Sequence, residues 1–242
     1  GVELNEVNIV TRKLGTMKLR SSVMNEDMIS SAELSRAACC NLGESFVTNP
    51  SVDVSYSDAA TGAKQIKLLG LSGTYVQMLT ENIPNYRGAA APYGLGYVPG
   101  PWMQSIQVSK GTSSVKNGYE AITGQINVEF KKPQLPEADW VSANLFASTT
   151  NRYEANADAT LKLSKRWSTS LLAHYENETK AHDGNDDGFV DIPQVEQYNV
   201  WNRWAYMGDH YVFQAGIKAL SETRTSGQVN HGGTMHSGDL YK

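Results

Sequence analysis

The sequence predicts a small α+β domain followed by antiparallel β-strands of a truncated transmembrane β-barrel. Up to residue 133 short strands mix with short helical runs, whereas after residue 138 apolar and polar residues alternate with a period of two. The connections between the later strands also alternate in length, as they do in outer-membrane barrels. The predicted division is an N-terminal arm at 1–15, an α+β domain at 16–133 and about five barrel strands at 138–242.

Composition excludes several classes of protein. The 242 residues suffice for one large domain or two modest ones, and the formal net charge of -4, with scattered basic residues, gives no support to nucleic-acid binding. Mean hydropathy is -0.41 and no run approaches the roughly 18 apolar residues of a membrane helix.

The only cysteines, the neighbours Cys39 and Cys40, cannot form a long-range disulfide, and we interpret them as small, partly buried residues on a helix. No leader precedes Gly1, so we expect the chain to be part of a longer exported protein.

The N-terminal arm is predicted to be a short extended segment that contains Leu4, Val7 and Ile9. Capping residues then run from Asn25 to Leu34, where Ser30 and Glu33 have the spacing of a capping box, and they predict one helix or two short ones. A second helix is predicted at roughly 41–48, and it ends before Asn49-Pro50 because proline disfavours a helical residue ahead of it.

Short strands follow around Val52 and Val54, at 66–69 and at 76–79, with a turn at 82–88. The stretch 106–133 places two more strands, Ile106/Val108 and 126–130, on either side of a segment with Gly111, Gly118 and Gly124. We interpret these glycines as turn and close-packing residues.

The second half contains five strands that alternate apolar and polar residues, at about 141–147, 153–163, 167–175, 198–207 and 211–219. Tight turns at 164–166 and 208–210 contrast with a long connection at 179–197, and aromatic residues lie near the strand ends: Tyr153, Trp167, Tyr175, Tyr198 and Tyr211. A soluble β-sandwich also alternates, but it usually needs larger inward residues than these runs of alanine. The inward face of the fourth strand stays ambiguous, because Trp201 and Trp204 have opposite parity.

The long connection predicts a calcium site. Asp183, Asn185, Asp187 and Asp191 occupy relative positions 1, 3, 5 and 9, with Gly188 at position 6, a spacing that brings oxygen ligands together around a hard cation such as Ca²⁺. Position 12 is Gln194 and strands flank the loop, so the pattern departs from an EF-hand. The alternative is an acidic, solvated loop. The histidines of the predicted loops, His182, His231 and His236, are interpreted as solvated.

Several segments resemble, in order, the plug and first strands of TonB-dependent outer-membrane receptors of the Bacteroidetes type. They are 4–10, 49–54, 68–71, 76–84 and the stretch 106–133, with its Lys-Gly, Ala-Ile-Thr-Gly and Lys-Lys-Pro. One departure is Leu69, which stands where the family usually has arginine. The resemblance implies localisation in the Gram-negative outer membrane. It also implies that roughly 22 strands would enclose the plug, so that most of the barrel lies outside this chain.

The same resemblance implies partners and a function. The first partner is the inner-membrane TonB energy-coupling complex, which the N-terminal segment would contact. The other partners are the lipid of the outer membrane and a small metal-complex ligand such as a ferric siderophore, heme or cobalamin. Active uptake by plug movement needs no catalytic group, and the enzyme motifs Gly-x-Ser-x-Gly, His-Glu-x-x-His and Cys-x-x-Cys do not occur.

Ligand contacts are expected from the plug loop 87–101 and the residue before it. Tyr86, Tyr93 and Tyr97 would supply stacking faces and Arg87 a cation; the alternative is a flexible surface loop without ligand contacts. The alternative for the whole protein is a soluble or surface β-rich calcium-binding module without transport. A passive porin is disfavoured because the first half is too large for a constriction loop.

Overall fold

The computed structural model describes residues 17–18, 25–36, 40–47, 49–58, 61–71, 73–112, 120–133, 140–186 and 188–228. The predicted arm at 1–15, Cys39, Gly118, Asp187, His231 and His236 lie outside these residues. The described chain forms a six-stranded sheet, a two-stranded hairpin and a five-stranded sheet. No helix among the described residues has the length and apolar character needed to cross a membrane.

The first half of the chain contains the six-stranded sheet and the hairpin. Their strands are β1 (Met17–Lys18), β2 (Asn25–Ser30), β3 (Val52–Asp58), β4 (Ala63–Leu68), β5 (Val76–Thr80), β6 (Ile83–Pro84), β7 (Met103–Lys110) and β8 (Gly124–Phe130). The sheet has the order β1-β2-β7-β8-β5-β6, with β5 parallel to β8 and the other neighbours antiparallel, while β3 and β4 pair with each other. The predicted strand pair of the stretch 106–133 is therefore the centre of this sheet.

Helical structure in this half is shorter than predicted. Asn25–Ser30 is strand β2, paired along its full length with β7, and the helix that follows it, α1 (Ser31–Arg36), has six residues. The Ser30–Glu33 spacing does cap this helix, because the Glu33 amide donates to Ser30 Oγ at 3.4 Å. The second predicted helix is a single 3₁₀ turn at Glu44–Phe46. Pairing with a distant strand outweighed local capping preference at Asn25–Ser30.

The glycine- and proline-rich segment that follows Arg87 is folded into helical turns. Four short pieces follow one another: 3₁₀ turns at Gly88–Ala90, Leu95–Tyr97 and Gly100–Trp102, and α2 (Ala91–Gly94). Pro92 lies in the first turn of α2, where its missing N–H costs no hydrogen bond. Leu95, Val98 and Trp102 are 3 % exposed or less, so the segment contributes to the core and is not a loose surface loop.

One apolar core joins the sheet, the hairpin and these turns. Its fully buried members come from β2, β4, β7, β8, the 3₁₀ turn Gly100–Trp102 and the turn before Glu44: Ile29, Leu42, Leu68, Trp102, Ile106, Ile126 and Phe130. Leu172 and the half-buried Trp201 come from the second half of the chain and pack against the same cluster. The two halves therefore share a core.

The second half forms the wall of the predicted barrel, an antiparallel meander in the order β13-β12-β11-β10-β9. The strands are β9 (Trp140–Ala147), β10 (Tyr153–Lys162), β11 (Trp167–Glu178), β12 (Gln194–Met207) and β13 (Val212–Thr225). The five predicted strands are all present. Their connections at 163–166 and 208–211 define the turn end of the wall, and those at 148–152 and 179–193 define its loop end.

The wall buries its polar face and exposes its apolar face. On β10 the alternate residues Glu154, Asn156, Asp158 and Thr160 are 4 % exposed or less and face the first half of the chain. The intervening positions are mostly alanine, and an exposed Leu161 continues them. This inversion of the usual water-soluble pattern is the one expected of a strand between lipid and a polar lumen.

The structure resolves the ambiguous face of β12. Trp201 faces inward, where its ring meets that of Phe130 edge-on with centroids 5.0 Å apart. Trp204 faces outward and is 41 % exposed.

Candidate functional site

A concave surface lies at the loop end, between the helical turns after Arg87 and the inner face of the wall. We call this surface the upper basin. It is lined by Tyr93 and Gly96 from the turns, Lys64 from β4, and Arg152, Glu176, Glu178, Gln197, Glu222 and Arg224 from the wall. Three carboxylates and three cations line it together with two tyrosines, Tyr56 and Tyr93, so it offers both donors and acceptors to a polar ligand.

Of the four predicted ligand residues, Tyr93 lines the upper basin, and Tyr97 lies beside it, next to the lining residue Glu222. The guanidinium of Arg224 lies 5.4 Å from the centroid of the Tyr93 ring, and its Nη1 donates to the Thr61 carbonyl at 3.1 Å. The Tyr97 carbonyl accepts from Asn199 Nδ2 at 3.1 Å and from Lys218 Nζ at 3.2 Å, which fixes this turn to the wall. Burial and the neighbouring Glu222 raise the pKa of the Tyr97 hydroxyl.

The other two predicted residues line a separate crevice between β4, β5 and the same turns. Arg87 pairs with Glu120 through three short contacts, of which the closest is 2.7 Å. Tyr86 is half-buried against the core, and burial raises its pKa to about 12. A Cβ on Gly94 would lie 2.5 Å from the Tyr86 ring, so the ring is packed against the α2 backbone. The four residues thus form two pairs, and their role in ligand binding stays a prediction.

An ionic cluster that shares Arg152 and Glu176 with the upper basin joins the two halves of the chain. Arg152 lies 2.9 Å from Glu44 of the first half, 2.7 Å from Glu154 and 3.1 Å from Glu176. Glu44 also accepts from the Cys40 amide at 3.1 Å and from Asn41 Nδ2 at 3.0 Å. We call this group the Arg152 cluster. It holds a turn of the barrel wall against the 3₁₀ turn at Glu44–Phe46.

Burial and charge act in opposite directions within the Arg152 cluster. Burial raises the pKa of Glu44, but the attraction and hydrogen bond of Arg152 outweigh it, so the pKa lies below its ordinary value. For Arg152 burial favours the neutral form, yet its carboxylate neighbours raise the pKa. Burial, followed by the charge of Glu154, raises the pKa of the Cys40 thiol, so Cys40 is an unreactive buried residue. It lies in a bend and not on a helix.

A second ionic contact lies closer to the turn end. Arg203 from β12 reaches Glu81 at 2.8 Å and donates to the Lys131 carbonyl at 2.9 Å. Lys131 in turn pairs with Asp158 of β10 at 3.0 Å. The predicted crossing point at Lys131-Lys132-Pro133 is therefore anchored to two strands of the wall.

The predicted cation loop lies at the loop end of the wall. The Gly184 amide donates to Asp191 Oδ2 at 2.6 Å, and the Gly188 amide donates to Asp183 Oδ2 at 2.9 Å. Gly188 has φ +82°, which permits the predicted sharp turn. Among the described residues no three His, Cys, Asp or Glu side chains are arranged to hold a metal ion; Asp187 is not one of these residues.

At the loop end, the long connection 179–193 also contacts neighbouring segments of the wall. His182 Nε2 contacts the Thr150 carbonyl in the same turn as Arg152, so this histidine is not simply solvated. The Val190 amide donates to Gly227 O at 2.9 Å beyond β13. The long connection therefore rests on both neighbouring segments of the wall.

Sequence reasoning missed the residues of the Arg152 cluster and the cations of the upper basin. Glu154, Glu176 and Glu178 occupy inward-facing strand positions, and this pattern could have predicted cations nearby. Three carboxylates buried on one inner face need cations opposite them. Their partner could not be identified from spacing, because Glu44 lies 108 residues before Arg152.

Comparisons with known proteins agree with this architecture. Residues 18–125 match the family model of the TonB-dependent Receptor Plug Domain. The chain is 24% identical over 185 residues to the vitamin B12 transporter BtuB of Vibrio vulnificus, an alignment that covers 76% of this chain and 30% of that protein. The chain thus spans less than a third of the length of this relative.

Solved structures show the same fold. The pyoverdine receptor FpvA of Pseudomonas aeruginosa PAO1 superposes with a TM-score of 0.69 at 16% identity, over 87% of this chain and 29% of that one. The siderophore receptor PirA of Acinetobacter baumannii gives a TM-score of 0.64 at 16% identity, over 83% and 32% of the two chains.

The predicted fold class and family are confirmed, while the domain boundaries and the Bacteroidetes type stay predictions. The named relatives are receptors and transporters, in agreement with the prediction that the chain is not an enzyme. The plug sheet packs against the polar face of a barrel wall, and residues 18–125 belong to the plug-domain family of the TonB-dependent receptors of the Gram-negative outer membrane.

Proposed function

We propose that the whole protein is an active-uptake receptor that captures a scarce nutrient at the cell surface and imports it by movement of the plug. The observation that carries this proposal is the shared core and the two ionic contacts that hold the plug sheet against the polar face of the wall. The inward face of the wall that meets the plug is mostly polar, so the plug can be displaced without exposing lipid-facing surface. The loop end of the wall, with the upper basin, would then face the outside.

The proposed ligand is a small metal complex, such as a ferric siderophore, heme or cobalamin. The Vibrio relative is named a vitamin B12 transporter, and two structural neighbours are named a siderophore receptor and a pyoverdine receptor, which supports the class without selecting among its members. Tyr93 and Tyr97 at the upper basin, with Tyr86 and Arg87 at the neighbouring crevice, are the proposed ligand contacts. Arg224 is added to them because its guanidinium lies over the Tyr93 ring.

Binding and energy-dependent uptake test this function in the full-length receptor. Among cobalamin, heme and ferric siderophores, at least one should bind, and Tyr93→Ala should weaken that binding about three- to tenfold through loss of a stacking face. Tyr211→Ala removes a tyrosine of the turn end that is 63% exposed and lies at the opposite end of the wall from the upper basin; it is the control and should leave affinity unchanged. Deletion of 1–15, the proposed contact with the TonB complex, should abolish uptake and leave binding intact. Equal effects of the two tyrosine variants would contradict the assignment of the upper basin.

The alternative of a soluble β-rich calcium-binding module is not favoured, because the family membership and the exposed apolar face of the wall both indicate a membrane protein. Fractionation decides directly. The full-length protein should co-sediment with outer membranes and show heat-modifiable migration, and recovery as a soluble periplasmic monomer would refute the receptor.

We also propose that the connection 179–193 binds Ca²⁺ through Asp183, Asn185, Asp187 and Asp191. The oxygen spacing supports the proposal, as does the positive φ of Gly188. The Asp183 and Asp191 carboxylates both accept backbone N–H groups from within the loop, so they are turned towards it. A bound ion would order the rim of the upper basin.

Calcium should raise the melting temperature of the full-length protein, and Asp187→Ala should abolish this rise because it removes one anionic ligand. Asp209→Ala is the matched control, since Asp209 is an acidic residue of the turn end outside the loop. A calcium titration that is unchanged in Asp187→Ala would refute the site.

A further inference from the structure

The outward face of the wall has a polar network at the loop end that neither the plug nor the ligand site uses. Glu196 Oε1 accepts from the Tyr198 hydroxyl at 2.9 Å and lies 3.5 Å from the Tyr175 hydroxyl. Asn177 Nδ2 donates to the Tyr175 hydroxyl at 3.1 Å, and the two tyrosine rings lie 4.9 Å apart. We call Tyr175, Asn177, Glu196 and Tyr198 the outer rim network.

Strand parity assigns this network to the membrane side of the wall. Its members alternate with Glu176 and Gln197, which are buried against the plug. Glu196 pairs in register with Asn177, and Tyr198 pairs with Tyr175, so the four side chains lie side by side on the outward face. Tyr198 is 52% exposed, and Tyr153 beside Asn177 is 50% exposed.

The network marks the level at which the outward face stops being apolar. Two outward rows nearer the middle of the wall than Asn177 and Glu196, the cross-strand positions are Ala143, Ala157, Ala173, Val200 and Ala219. At the rim, the corresponding row is Ala147, Tyr153, Asn177, Glu196 and Thr223. Because tyrosine rings and polar side chains on a barrel exterior lie at the headgroup level, this row contacts lipid headgroups.

The two ends of the wall differ in charge. The turn end carries Lys165, and Arg166 paired with Asp209 at 2.7 Å, beside the aromatic pair Trp167 and Tyr206, whose ring centroids are 5.1 Å apart. Cations next to aromatic rings suit a phosphate headgroup. The outer rim network has no cation, and its carboxylate, amide and phenol groups with exposed ring faces suit neutral, hydroxyl-rich groups that donate and accept hydrogen bonds.

We propose that the outer rim network binds the sugar headgroup of the glycolipid in the outer leaflet of the outer membrane. Sugar hydroxyls donate to the Glu196 carboxylate and bond to the Asn177 amide, and the exposed Tyr198 and Tyr153 rings pack against the sugar faces. This inference rests on the orientation proposed above, in which the loop end faces outward. It does not depend on nutrient binding or transport.

The test measures the melting temperature of the full-length receptor in detergent with added rough lipopolysaccharide, and separately with phosphatidylglycerol at the same concentration. Lipopolysaccharide should raise it more than phosphatidylglycerol does, and Tyr198→Ala and Glu196→Lys should each remove at least half of that difference. Tyr211→Ala, a substitution of an exposed tyrosine at the opposite end, should retain it.

Three results would overturn the proposal. They are equal stabilisation of the wild type by the two lipids, full retention of the difference in both rim variants, and a larger lipopolysaccharide effect in Glu196→Lys. The last result would mean that the site recognises phosphate and not sugar hydroxyls. Since no nutrient or energy source enters the assay, a failure here is distinguishable from a failure of the uptake function.

Discussion

Replacing Gly124 by alanine is expected to destabilise the plug by about 2–6 kcal/mol, from backbone strain of about 1–3 kcal/mol and overpacking of a similar size. Gly124 begins β8 with φ +153°, and a Cβ there would lie 2.1 Å from Ser109 O and 2.6 Å from Leu68 Cδ2. Because β8 lies between β7 and β5, the damage would spread across the centre of the sheet. Thermal unfolding of the plug within the full-length receptor measures the effect, and entry of a large antibiotic such as vancomycin into cells reports the loss of closure.

Gly96→Ala is the matched control for Gly124→Ala. A Cβ on Gly96 meets no atom within 4 Å, so its plug should melt at the wild-type temperature. If both variants melted together, close approach at Gly124 would not limit plug stability.

Replacing Arg152 by alanine is expected to weaken the contact between plug and barrel by about 3–5 kcal/mol, because buried carboxylates lose their common cation. Glu154 and Glu176 have side chains only 1% and 11% exposed, so water cannot replace the guanidinium fully. The plug should unfold at a lower temperature while heat-modifiable migration of the barrel is retained. Arg152→Lys should fall between, since a lysine keeps the charge but cannot reach three carboxylates with a planar fork.

Arg166→Ala removes a comparable ion pair, with Asp209 at 2.7 Å, from an exposed position. Its expected cost is about 0–1 kcal/mol. A plug unfolding temperature lowered equally by Arg152→Ala and Arg166→Ala would contradict a special role for the Arg152 cluster.

The stability of the Arg152 cluster also depends on pH. Because the pKa of Glu44 is lowered in the folded protein, its contribution is present above the ordinary value of 4.5 and is lost as pH falls through the folded-state pKa.

Much of the wall could be predicted from the sequence, since a strand between lipid and a polar lumen repeats its pattern every two residues. Five strands and the tight turns followed from that pattern. The secondary structure of the plug was harder to predict. Asn25–Ser30 has the residues of a helix start, but β7 offers it a backbone partner about 80 residues away, and no local pattern contains that information.

The candidate site shows the same limit. Tyr93 and Tyr97 could be selected by residue type, because aromatic rings in a loop suit ligand contact. Their neighbours Arg224 and Glu222 could not, since they lie on a strand far along the chain and reach the basin only when the wall closes on the plug. Gly124 was predicted as a close-packing residue, and the distances to Ser109 and Leu68 confirm it.

The inverted burial of the wall has a consequence for how its mutations should be ranked. In a water-soluble domain the exposed positions of β10 would be the permissive ones and the buried positions the intolerant ones. Here Ala157 is exposed yet faces hydrocarbon, where an arginine or lysine costs about 2–4 kcal/mol at mid-membrane depth. Tolerance along this strand is therefore set by the chemistry of the medium at each face, and accessibility alone would order the positions wrongly.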